Sequence, residues 1–112
     1  MNQRDRASLL DIVQAAQRAQ SFAENMSWET FAVDFKTQSA VLYQIAILGE
    51  AVKRLSPELQ SQHPNIPWAA MAGMRDKLLH DYEGVDVERV WLTLQTSLPD
   101  LMQAIAPLLE QD

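Results

Sequence analysis

Apolar residues return every three or four positions through almost the whole chain, while β-branched runs are short and glycines number only three. That period belongs to α-helices with one buried face. The fold class expected is therefore all-α, an antiparallel-type four/five-helix bundle. At 112 residues the chain suits a single helical domain, 1–112, with one modest core. It contains no cysteine, which removes disulfides, thiolate chemistry and Cys-ligated zinc. With His63 and His80 as the only histidines, a histidine-based metal site is not expected either.

No apolar run reaches membrane-spanning length, and the opening residues MNQRDRASLL lack a signal-peptide apolar region. The expectation is a soluble, cytoplasmic protein. The net charge of −6 argues against capture of nucleic acid by a broadly basic surface. A local basic cleft is still open to it, since Lys53, Arg54, Arg75, Lys77 and Arg89 all fall between positions 53 and 89. Asp81, Glu83, Asp86 and Glu88 would dilute its field.

In chain order, a first helix is expected over Arg6 to Ala23, with Asp5 as its N-cap and a narrow face of Leu9, Ile12, Val13, Ala16, Ala19 and Ala23. Ser27 can cap a short turn whose Trp28 and Phe31 read as core plugs. Stacking on a nucleobase is their other reading. A second long helix covers about Asp34 to Leu55, with the stripe Val41, Ile45, Leu48, Val52, Leu55. Tyr43 and Ile47 project from its opposite side, as in a helix central to its bundle or covered by a second chain. Gly49 weakens a helix interior, so close packing against another helix is its expected purpose. Glu50 is either a partner for Arg75 or a solvated carboxylate beside Lys53 and Arg54. Ser56-Pro57 opens a short helical turn, and His63 to Pro67 reads as extended loop.

The stretch Trp68 to Tyr82 reads as one amphipathic helix, with Gly84 ending it and Asp86 capping the next. A further helix runs from Val87 to the C-terminus, kinked or restarted at Pro99. In the Trp68–Tyr82 helix, Trp68, Met71, Ala72, Leu78 and Leu79 form an apolar stripe, and Arg75 falls within it. A guanidinium there needs a partner, a cleft or an interface. Asp76 and His80, four apart, would share a face, so the carboxylate could orient the imidazole for general acid or base work. Arg75 suits a phosphate oxygen or a developing phosphorane, and Tyr82 could donate a hydrogen bond or carry a modification. Arg75 and His80 diverge by about 140° on an ideal helix. They converge only if the helix end distorts, or if two copies meet across a two-fold axis. Each residue also has a structural reading: a histidine near a helix C-terminus favoured by the helix dipole, a salt-bridged arginine, a tyrosine at a core edge.

The series Arg75-Asp76-Lys77-Leu78-Leu79-His80-Asp81-Tyr82 resembles the Arg-x4-His-x-Tyr signature of the HEPN superfamily. The flanks Gly49-Glu50-Ala51, Ile66-Pro67-Trp68, Gly73-Met74, Val85-Asp86, Val90-Trp91 and Leu98-Pro99 are similar to the HepT-like toxin family, and the likeness covers essentially the whole chain. It implies a dimeric, α-helical, metal-independent endoribonuclease of a toxin–antitoxin pair, needing no cofactor. Arg75 and His80 would be catalytic in a cleft shared by two copies; the residue-level reading adds Asp76, Lys77 and Glu50 as supporting candidates. The implied partners are an RNA substrate, a second copy and a minimal nucleotidyltransferase antitoxin. That antitoxin would transfer AMP from ATP to Tyr82 and block the site. The position after the arginine is often Asn in this family. Here it is Asp76, whose carboxylate repels RNA phosphate unless Arg75 or Lys77 neutralises it. The alternative is a catalytically weak or inactive HEPN module that binds the nucleotidyltransferase.

Overall fold

A computed structural model of the chain describes residues 1–80 and 84–110, His80 by its backbone only. The expected all-α bundle is what forms. Helix α1 covers Gln3–Phe22, α2 Trp28–Ala32, α3 Phe35–Lys53 and α4 Pro57–Gln62. Two five-residue helices follow, α5 Trp68–Ala72 and α6 Met74–Leu78, then a strand pair, β1 Leu79–His80 and β2 Gly84–Val85. The last segment is α7 Val87–Leu92, a π-helical turn Thr93–Ser97, and α8 Leu98–Glu110. No helix among the described residues is long and apolar enough to cross a membrane.

Helices α1 and α3 lie together at the centre. Leu9, Ile12, Ala16 and Ala19 of α1 are buried, as are Val41, Ile45, Leu48 and Val52 of α3. Small residues on α1 let the two backbones approach and bury the larger α3 side chains between them. Helix α8 closes the core with Leu98, Leu101, Ile105 and Leu108. Its end is tied to α1 by Arg6, which donates to the Leu109 carbonyl at 2.9 Å. Phe31 is fully buried and Trp28 half-buried. Both rings rest on Trp91, with centroids at 5.2 and 6.2 Å respectively, so the core-plug reading holds.

Local capping explains where most helices begin. Ser27 and Thr30 form a reciprocal capping box at α2, Asp34 accepts from the Thr37 amide, Ser56 from Leu59 and Asp86 from Arg89. The start of α1 differs from expectation. Asn2 is the cap, accepting from the Asp5 amide at 2.7 Å. Asp5 turns inward, 3% exposed, and accepts from the Ser56 amide at 2.9 Å and the Ser56 hydroxyl at 2.6 Å. A carboxylate that far from water needs such donors.

The Trp68–Tyr82 helix is also corrected. Gly73 separates α5 from α6, and α6 stops at Leu78, where Leu79 is extended at φ −114°, ψ 132°. The Leu78 carbonyl accepts from the Asp86 amide at 2.9 Å, a bond that takes the acceptor a continuing helix would use. Leu79 pairs with Val85, and His80 with Gly84. Gly84, at φ +85°, opens β2 opposite His80 and does not cap a helix. The restart expected at Pro99 falls one residue earlier: the π turn ends at Ser97 and α8 begins at Leu98. The preceding π turn widens the backbone where a proline ring would meet the carbonyl four residues back.

Candidate functional site

The site begins with Gly49. A Cβ there would stand 3.0 Å from the Ala72 carbonyl oxygen and 3.6 Å from that of Met71. Helix α5 therefore crosses α3 backbone to backbone at this point, the close packing expected of this glycine. The crossing carries α6 alongside the last turns of α3. Between them lies a cleft of about 220 Å³ lined by Ala46, Gly49, Glu50 and Lys53 from α3 and by Ala72, Arg75 and Asp76 from α5 and α6. Its three smallest residues supply little side chain, and so leave the space.

Four charges face this space in two pairs. Lys53 Nζ lies 3.2 Å from Glu50 Oε1, and Arg75 Nη1 donates to Asp76 Oδ1 at 3.3 Å. The side chains are 58% and 67% exposed in the first pair, 54% and 81% in the second. Exposed pairs of this kind contribute roughly 0–1 kcal/mol and weaken further with salt. The cleft is thus formally neutral, yet both cations can exchange partners at little cost. An anion entering it meets a planar guanidinium and an ammonium whose present partners are easily displaced.

Several expectations change. Arg75 is exposed, because the break at Gly73 takes it out of the stripe that Trp68 and Met71 bury. Its carboxylate partner is Asp76, while Glu50 pairs with Lys53 and shares only the cleft lining. Asp76 and His80 do not sit one helical turn apart, since the helix ends between them. Lys77 is exposed on α6 and is not among the residues lining the cleft. The side chain of His80 and all of Tyr82 lie outside the described residues. The sequence offers Lys53 only as one of five cations open to a local basic cleft, not as a site residue. The available signal was its three-residue offset from Glu50, beside a glycine that invites a second helix.

The span Ile12 to Leu108 matches the model of the ribonuclease HepT-like family, and so includes Arg75, His80 and Tyr82. The chain belongs to the HepT-like family. A protein of Thermococcus cleftensis named probable ribonuclease HepT is 43% identical over 93 residues, covering 83% of this chain and 84% of that one. A protein of Methanocaldococcus jannaschii, also named as an RNase, is 34% identical over 105 residues, covering 94% and 87%. One of Caldanaerobacter subterraneus, again named as an RNase, is 36% identical over 89 residues, covering 80% of each. No solved structure matches the chain significantly. Within the HepT-like family, the short α5 and α6 of this chain give the signature arginine an exposed position at a cleft.

Proposed function

We propose that this HepT-like chain is a metal-independent endoribonuclease, and that its phosphate site is the cleft holding Arg75. The observation that carries the reading is the placement of the signature arginine: exposed, lining a cleft and paired with a neighbouring exposed carboxylate. In the reaction, the ribose 2′-oxygen attacks phosphorus as the bond to the 5′-oxygen breaks. The 2′-hydroxyl loses its proton, and the leaving 5′-oxygen gains one. RNA supplies the nucleophile, so the protein must only move protons and stabilise the phosphorane. His80 is assigned the proton transfer and Arg75 the charge stabilisation. The products are a 2′,3′-cyclic phosphate and a 5′-hydroxyl.

The reading extends to a second copy of the chain and to a nucleotidyltransferase antitoxin. Phe35, Tyr43, Ala46, Glu50 and Lys53 of α3 lie within about 80° of arc. Phe35 and Tyr43 are 75% and 66% exposed. Two exposed aromatics on the α3 face that runs into the Arg75 cleft support pairing of two copies along α3, with two clefts brought together. Transfer of AMP from ATP to the Tyr82 hydroxyl, releasing pyrophosphate, would add bulk and negative charge seven residues on from the arginine proposed to meet RNA phosphate.

Purified protein is expected to cleave single-stranded RNA in EDTA, and His80→Ala to lower the rate at least a hundredfold with the thermal transition unchanged. Equal cleavage by the variant would remove His80 from the chemistry. The Arg75–Asp76 pair favours one alternative, a catalytically inactive module whose arginine is already occupied. Tight binding of the nucleotidyltransferase with no RNA cleavage by wild-type protein would establish that alternative.

A further inference from the structure

We propose that Lys53 is the second cation of an RNA-phosphate subsite, acting beside Arg75 across the α3–α6 cleft. The inference rests on the ribonuclease reading and adds a residue to it. Three observations converge on Lys53. It lines the same cleft as Arg75, and does so from α3 where Arg75 comes from α6. The floor between them is Ala46, Gly49 and Ala72, and Gly49 admits the α5 backbone to within contact distance. The cleft's volume of about 220 Å³ holds several waters, which a phosphodiester entering beside the two cations would displace.

The resting partners fit this role. Each cation is held by a carboxylate of its own helix, Glu50 for Lys53 and Asp76 for Arg75. A phosphate bridging the cleft can draw both cations toward itself and leave the two exposed carboxylates to solvent. Arg54, next in sequence, is engaged elsewhere, 3.2 Å from Asp11 of α1. Lys53 thus supplies a point charge and Arg75 a planar fork, on two consecutive phosphates or on two oxygens of one.

The test is RNA binding by the cleavage-deficient His80→Ala protein across a salt series, with a fluorescent single-stranded oligonucleotide. Adding Lys53→Gln is expected to weaken binding about tenfold at low salt. It should also flatten the log–log salt dependence by roughly 0.7, the value for one phosphate contact on a single strand. Adding Lys53→Arg is expected to restore both. Lys53 is largely exposed, so the melting temperature should not move. Unchanged affinity and slope in Lys53→Gln would overturn the subsite and leave the ribonuclease reading intact. Absence of RNA binding by His80→Ala together with absence of cleavage by wild type would overturn both.

Discussion

Gly49 shows how one missing side chain sets the position of a functional group twenty-six residues further along the chain. The α5 carbonyls occupy the space a side chain would need, and Arg75 follows three residues after Ala72. Alanine at this position gains about 1 kcal/mol of helix propensity over glycine, offset by a contact at 3.0 Å with backbone. Valine adds two methyl groups and loses part of that propensity. Gly49→Val is therefore expected to lower stability by about 2–3 kcal/mol, with Gly49→Ala falling between it and wild type, as read from urea midpoints. A Gly49→Val protein as stable as wild type would show that α5 can move away freely. Asp5 makes the complementary point: it resembles a cap in sequence, but its carboxylate is committed to Ser56, fifty-one residues on.

At the scale of elements, termini are set by local hydrogen bonds, and one of them carries a pH dependence. The Thr37 hydroxyl donates to Asp34 at 2.6 Å and the Thr37 amide at 3.0 Å. These bonds, the hydroxyl first, hold the Asp34 carboxyl below its ordinary range. A depressed carboxylate stabilises the fold above its unfolded pKa, about 3.9. That contribution is lost as pH falls through the lower folded value. Asn caps helices as well as Asp does but does not titrate there. Asp34→Asn should consequently melt near wild type at neutral pH and lose less stability below about pH 4. Melting temperatures followed by circular dichroism from pH 6 to pH 2 would reveal this, and a difference independent of pH would count against the cap as its source. The α5–α6 break is an element-scale event as well. It converts an arginine expected within an apolar stripe into an exposed one at a cleft wall.

Across the whole molecule, the cleft and the α3 outer face form one surface. Exposed Phe35 and Tyr43 lead along α3 to Ala46, Glu50 and Lys53, and from there to Arg75. If two copies pair along this strip, charge placed in its middle should separate them without harming either fold, because Tyr43 is 66% exposed. Tyr43→Glu is expected to raise the dimer dissociation constant at least tenfold, measured by sedimentation equilibrium, and to reduce RNA cleavage in parallel. A variant that stays dimeric would place the contact elsewhere. A monomeric variant with full cleavage would place the complete site within one chain.

The apolar period by itself determined that the chain is a helical bundle and which faces of α1, α3 and α8 meet. Ser27, Ser56 and Asp86 could be read as caps, because a cap involves only the next turn of chain. Gly49 could be read as a close approach, and Arg75 as a charge requiring explanation, from single-residue physics. Tertiary structure alone decided that Asp5 is buried, that the signature helix ends at Leu78, and that Lys53 lines the same cleft as Arg75. Each of those depends on a group brought in from another part of the chain: Ser56 to Asp5, the Asp86 amide to the Leu78 carbonyl, and α6 to the end of α3. Helical period and local caps are set within a few residues, whereas competition for a carbonyl or a carboxylate is settled by whichever donor the assembled fold brings nearest.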